Sequence, residues 1–321
     1  MSFDVVAQQP KLLYLLQGIA AFTAVVGLIL VALHRGPIRR RGAAALLLAP
    51  ALLLLAVGLL RPGLRTLMLS FTDGEGDSWV GLDNYVWILT DPQALTALRN
   101  TLTWVVLVPV LTTVVGLLYA AAVVRSRFRA LALSLLLLPM VISFVGAGLV
   151  WKFVYAYRPA GADQIGLLNQ LVVALGGQPQ QWLVDSPWNV LFLIVTMVWT
   201  QAGFAAVLLA GAIAGVPREM TEAARLDGAS PRQIFWRITL PSIRPTLLVV
   251  VLAELIATFK AFDVVKTMTG GQFDTGVLAY EMYDQAFRYG QTGRGAALAV
   301  LLFVLVTPVV VYQVRAQRGA R

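Results

Sequence analysis

The chain has no cysteine among its 321 residues, a single histidine, and charge on only 13% of its positions. Without cysteine, a small scaffold stapled by disulfides is excluded. Soluble chains carry roughly 25% charged residues. Here 59% of the residues are hydrophobic and the mean hydropathy is +0.78, which excludes an ordinary cytosolic enzyme and a disordered regulator. That much apolar surface exceeds what one core can hide, and lipid is its natural solvent. Acids are scarcer than bases, 16 against 25, for a net charge of +9. The bases lie in short runs between long apolar stretches, which is a membrane-topology pattern and not a nucleic-acid footprint.

Catalytic signals are missing as well. There is no glycine-rich loop ending in Lys-Ser or Lys-Thr, and His34 heads an arginine-rich turn with no metal ligand or nucleophile nearby in the sequence. A membrane-embedded enzyme would need paired intramembrane acids, a His-Glu metal pattern or a nucleophile with its base. None of these appears, so no catalytic residue, metal site or cofactor is assigned to this chain.

What is present is a series of apolar stretches. A bilayer core of about 30 Å needs about 20 residues of helix, and on that criterion seven spans are expected, near 12–33, 43–60, 101–124, 131–151, 190–214, 245–265 and 296–314. The expected fold is an all-α, polytopic helical bundle. The first stretch has one preceding base, Lys11, too long an apolar run for a signal peptide, and its arginines after it. It reads as an additional N-terminal span with an arginine-rich turn, 1–42, ahead of a six-span core, 43–321. Fifteen arginines fall in four clusters, 35–41, 125–129, 218–244 and 315–321, all on one side of the predicted spans. By the positive-inside rule that side is cytoplasmic, placing the N-terminus outside and the C-terminus inside. The spans contain glycines, among them Gly146, Gly148, Gly203 and Gly211, expected as sites of close helix packing.

One connection, 215–243, is too long to be idle, since most loops are about 4 to 6 residues. Its chemistry predicts two short helices. Pro217 suits a first helical turn, Glu219 and Glu222 favour the positive end of the dipole, and Gly228 supplies a left-handed terminator. Ser230 and Pro231 then cap and start a second helix that Pro241 breaks or kinks. Ala223 and Ala224 would offer a flat face to a partner's groove, with Arg225, Arg232 and Arg237 free for its carboxylates. An amphipathic helix lying on lipid would instead prefer large apolar residues and lysines.

The string Glu222-Ala223-Ala224, three residues, Gly228, nine residues, Ile238, one residue, Leu240-Pro241 resembles the signature loop of permease subunits of bacterial ATP-binding-cassette importers. Asp227 lies within it. The similarity extends over nearly the whole chain, toward carbohydrate importers of the maltose and glycerol-3-phosphate type, through Gly81-Leu82-Asp83-Asn84-Tyr85, 97–102 and Met268-Thr269-Gly270-Gly271. Leu138-Pro139-Met140, 143–147, 151–159 and 164–169 are similar to the alpha-glucoside branch.

The resemblance implies the type I importer permease fold, half of a pathway shared with a second homologous permease, and a loop that docks on one of two cytoplasmic ATP-binding subunits. ATP and magnesium would sit on those subunits, and an extracytoplasmic binding protein would deliver the sugar. Trehalose, maltose, sucrose or glucosylglycerol would be the cargo. A permease for another small solute such as glycerol-3-phosphate, or a channel or receptor, are the alternatives. Glu254, mid-span, must face protein or water, since a carboxylate facing lipid costs about 2.5 to 3.5 kcal/mol. With Gln201, Asn100, Tyr119, Trp199 and Phe259 it makes a candidate sugar path of hydrogen-bonding and stacking groups. Lys260 and Asp263 lie nearer the span end, where Lys260 can snorkel. In the maltose-type importers one of the two permeases holds the sugar, so the resemblance leaves open which half does.

Overall fold

The computed structural model describes residues 40–124, 126–259 and 261–319, with Thr23 and Gly27 as isolated positions, and no side chain of 40–46 or 316–319. The expected span 12–33, apart from Thr23 and Gly27, lies outside the described residues, as do His34 and Lys260. The chain divides into two compact units, 1–68 and 69–321, and the expected boundary at 42/43 falls within the first. In that first unit α1 (Arg40–Leu55) runs through a π-helical turn, Ala56–Leu60, into α2 (Arg61–Leu69). The apolar stretch Leu47–Leu69 is long enough to cross a membrane, nine residues longer at its end than the sequence pattern predicts.

The second unit holds α3 (Asp83–Thr90), α4 (Pro92–Val123), α5 (Arg129–Val141), α6 (Phe144–Val154), α7 (Leu167–Ala174), α8 (Asn189–Ala214), α9 (Arg218–Leu226), α10 (Pro231–Ile234), α11 (Leu240–Ser242), α12 (Arg244–Thr258), α13 (Phe262–Met268), α14 (Leu278–Tyr283) and α15 (Thr292–Gly319). Among the described residues four helices are long and apolar enough to span, and six spans result if two bent pairs each count as one. The all-α bundle is as expected.

α8 is the centre of this unit: 61% of its most apolar window is buried, against 33% for α4 and 22% for α15. It packs against α4, α5 and α12, and the remaining apolar surface of the outer helices is left for lipid. Small residues set the spacing. A Cβ on Gly116 of α4 would lie 2.6 Å from the Ala205 Cβ and 2.9 Å from the Ala206 backbone nitrogen, so these two helices meet nearly backbone to backbone.

Two of the predicted spans differ in shape. α4 starts at Pro92 and not near 101, because the Asp91 carboxylate accepts from the Gln93 and Ala94 N–H groups, both at 3.0 Å, and Pro92 occupies the first turn. The stretch 131–151 is not one straight helix. α5 and α6 meet at 99°. Pro139 sits in the last turn of α5, Ile142 is extended (φ −77°, ψ 134°), and the Ser143 hydroxyl caps α6 by accepting from Gly146 N–H at 3.1 Å.

Buried asparagines fix the connections at one end of this bundle. Asn84 donates to Ser70 and Thr72 carbonyls at 3.0 and 2.7 Å. Asn100 donates to the carbonyls of Asp274 and Gly276 at 2.6 and 2.9 Å, and Asn189 to that of Phe273 at 2.6 Å. Phe273 and Asp274 have φ of 56° and 58°, a left-handed conformation costly to side-chain-bearing residues, which these two asparagines hold in place. In the 73–78 turn the Ser78 hydroxyl, with the Asp77 N–H next, draws the Asp73 carboxyl down from 3.8 to about 2.

Asn100 is 3% exposed, so Asn100→Ala leaves the Asp274 and Gly276 carbonyls without this donor and releases the left-handed Asp274. The expected cost is about 1 to 3 kcal/mol, read as a lower unfolding temperature in detergent. Thr103→Ala, which removes only an exposed bond to Arg99 O, serves as the control. Equal melting of the two variants would deny Asn100 its clamping role.

Candidate functional site

The 215–243 connection folds into an elbow by local rules. α9 begins one residue after Pro217, which stands at the cap position and not inside the first turn. It ends in a left-handed glycine, Gly228 (φ +82°), with Gly228 N–H donating to Arg225 O at 3.0 Å and Ala229 N–H to Ala224 O at 2.9 Å. This pair of bonds is the Schellman termination. Ser230 then caps α10 in a reciprocal box: Gln233 N–H donates to Ser230 Oγ at 3.3 Å and Ser230 N–H to Gln233 Oε1 at 2.7 Å.

α10 continues through a π-helical turn, Phe235–Thr239, into α11, and the axis bends by 67° at Ile243 before α12. The bend therefore falls two residues after Pro241. Pro241 stands in the first turn of α11, where a missing N–H is tolerated, and the buried Ile243 makes the corner.

The two arms of the elbow are anchored differently. Ile234, Thr239 and Ile243 are buried, and Ile238, Leu240 and Pro241 are half-buried, so the second arm is fastened to the bundle. α9 has no buried residue. Glu222, Ala223, Asp227 and Gly228 are exposed, Ala224 is half-buried, and Leu226 is 90% exposed. Arg225, Arg232 and Arg237 are exposed, and among the described residues none of them is in an ion pair. The arrangement is a helix held out from the protein with small, apolar and basic groups uncovered.

A second feature lies where the α5–α6 break faces α8 and α12. An open cavity of about 590 Å³ is lined by Met140, Val141, Ile142, Ser143 and Phe144 of the break, Thr200 and Gln201 of α8, and Ala253, Ile256 and Ala257 of α12. None of these ten residues is charged. Ser143 and Thr200 have their hydroxyls engaged with backbone, the latter donating to Met197 O at 2.7 Å. Gln201 Nε2 lies 3.5 Å from Glu254 Oε2 on α12. Glu254 is 1% exposed, and its other oxygen, Oε1, has no partner.

The six candidate path residues are thus divided. Gln201 and Glu254 come together, the first in the cavity wall and the second behind it. Trp199 packs edge-on against Trp151 at 5.8 Å, in an aromatic cluster that continues to Tyr155 and Phe192. Tyr119 donates to Ala132 O at 2.9 Å and ties α4 to α5. Asn100 serves the connection described above. Phe259 lines a separate crevice of about 10 Å³ with Thr101 and Trp104. Sequence reasoning missed Ser143 and Thr200; Pro139 followed four residues later by a serine was the available sign of a broken helix.

A family model for the inner membrane component of binding-protein-dependent transport systems matches residues 112–321. The chain belongs to this family. It is therefore a multi-pass inner-membrane protein and a non-catalytic subunit, ATP hydrolysis residing in a separate partner subunit. The osmoprotective compounds uptake permease protein GgtC of Synechocystis is 50% identical over 266 residues, 83% of this chain and 95% of that one. The alpha-glucoside transport system permease protein AglF of Rhizobium meliloti is 45% identical over 271 residues, 84% and 81% of the two chains.

Among solved structures, a chain of a bacterial ATP-binding-cassette transporter that imports the acidic polysaccharide alginate superposes with a TM-score of 0.71, covering 85% of this chain and 94% of its own. At 22% identity that likeness speaks to the fold, which is the one the signature loop implies. The elbow, the break and all four helical segments around the cavity lie wholly inside the matched region.

Proposed function

We propose that this chain is one of two permease halves of an ATP-driven importer of neutral alpha-glucosides, a class that includes trehalose, maltose, sucrose and glucosylglycerol. The observation that carries the substrate class is the uncharged cavity lined by Gln201, Ser143 and Thr200, taken with relatives named for osmoprotective compounds and alpha-glucosides. A phosphate-bearing solute such as glycerol-3-phosphate would call for a cation in that wall. The second half is a homologous permease, and the solute arrives on an extracytoplasmic binding protein. ATP and magnesium are held by two cytoplasmic ATP-binding subunits.

The elbow is the coupling element. Glu222, Ala223, Ala224, Asp227 and Gly228 form its docking arm, and Ile238, Leu240 and Pro241 fix the other arm to the bundle. When the ATP-binding subunits close, force on α9 passes through the Gly228 turn and α10 to the 67° bend that begins α12, one wall of the cavity. The arginine-rich connections support an orientation with this elbow and the C-terminus in the cytoplasm and the N-terminus outside.

The test is a pull-down of the tagged chain from solubilised native membranes, with uptake of labelled trehalose, sucrose and glucosylglycerol by the same cells. A second permease and an ATPase should co-purify, and deletion of the chain should abolish uptake of at least one of the three. A chain that purifies alone would sink the importer reading. Unchanged uptake of all three sugars after deletion would sink the substrate.

A further inference from the structure

We infer that Glu254 is a positioning residue: it grips the Gln201 amide so that the rest of this carboxamide faces the cavity, set to bind adjacent hydroxyls of a neutral solute. The inference rests on the proposed role of the cavity as the solute path and adds which group reads the solute and what holds that group.

A glutamine carboxamide has two N–H donors and one carbonyl acceptor. With Nε2 directed at Glu254 Oε2, 3.5 Å away, one donor is committed behind the wall. The carbonyl and the second N–H remain for the cavity that Gln201 lines. A donor and an acceptor side by side match two neighbouring hydroxyls, one giving and one receiving. The wall's hydroxyls, Ser143 and Thr200, each have one backbone bond, Ser143 as acceptor and Thr200 as donor, and Gln201 is the one side chain of the wall that offers an acceptor and a donor side by side.

Simple interhelical glue explains the carboxylate poorly. Glu254 sits 1% exposed within a membrane-spanning helix and leaves Oε1 without a partner. An unpaired buried oxygen is costly, and an apolar pair at these positions would join α8 to α12 more cheaply. An acceptor at this place does something an apolar residue cannot, since it takes one Gln201 N–H and leaves the rest of the carboxamide for the cavity.

The experiment compares wild type with Glu254→Leu, Gln201→Leu, the double variant and Glu254→Gln in cells expressing the complete transporter. Uptake of labelled trehalose, sucrose and glucosylglycerol is measured per assembled complex recovered by pull-down. Loss of an oriented hydrogen-bonding group lowers uptake about tenfold. Glu254→Leu and Gln201→Leu should each show that loss, the double variant should be no worse than either, and Glu254→Gln, whose own carbonyl accepts from Gln201, should restore uptake to within about twofold of wild type.

Wild-type uptake in Glu254→Leu overturns the inference, as do losses that multiply to about a hundredfold in the double variant. So does a Glu254→Leu chain that no longer assembles while Glu254→Gln does, since that marks a structural role alone. A wild-type complex that assembles with its ATPase yet takes up none of the three sugars overturns the substrate reading, and this inference with it.

Discussion

Gly228→Asp is expected to reach the membrane at wild-type abundance and to abolish coupled uptake. The two halves of that expectation have separate causes. Gly228 has φ +82°, and a side chain in left-handed backbone costs about 1 to 2 kcal/mol, too little to unfold a bundle whose core lies elsewhere. Within the chain a Cβ at this position meets nothing within 4 Å. No internal clash is therefore available to explain a loss of function. What the substitution adds is a charged side chain on the exposed turn between α9 and the anchored arm, where the proposed coupling role brings a partner surface against it.

Gly228→Asn separates strain from intrusion, because asparagine tolerates the left-handed region while still adding a side chain. If docking governs, Asn and Asp both fail; if backbone strain governs, Asn recovers and Gly228→Ala does not. Uptake and recovery of the ATPase in a pull-down read the two together. Wild-type uptake by Gly228→Asp would remove the elbow from the coupling path.

The elbow was legible in the sequence because every signal in it is local. Pro217, Gly228, Ser230 and Gln233 act within one turn of their own position, and the structure shows the termination and capping box that such residues dictate. The break at Ile142 was not legible, since an unbroken apolar run has the same hydropathy whether straight or bent by 99°. Only Pro139 and the cap at Ser143 mark it.

Polar residues inside spans posed the same difficulty. Asn100, Gln201 and Glu254 look alike as interruptions of apolar sequence. Whether one faces a carbonyl at a connection or a cavity depends on which helix lies opposite, a tertiary fact. Trp199 and Tyr119 were candidates for stacking and turned out to be packed against Trp151 and bonded to Ala132. The start of α4 was missed for a different reason. The apolar run begins near 101, whereas the helix is started ten residues earlier by Asp91 and Pro92, an acid before a proline being a helix-start signal.

Gly203→Ala should destabilise the protein and slow uptake, whereas Gly211→Ala, eight residues along the same helix, should do neither. A Cβ on Gly203 would lie 2.3 Å from the Leu136 carbonyl oxygen and 3.0 Å from the Leu137 Cα, backbone atoms of α5 that cannot yield without moving the helix. Overpacking of this kind costs about 1 to 3 kcal/mol and should lower the unfolding temperature in detergent by several degrees. Because α5 runs directly into the break that shapes the cavity, the displacement reaches Met140 to Phe144 as well. At Gly211 a Cβ meets nothing within 4 Å, and alanine favours helix by about 1 kcal/mol over glycine, so that variant should melt no lower than wild type. Gly116→Ala presses on α8 from the α4 side, against Ala205 and the Ala206 backbone, and should fall with Gly203→Ala. If all three variants melt alike, close backbone approach is not what positions α8. If only the Gly211 variant is spared, the two tight glycines are what allow α8 to lie against both α4 and α5.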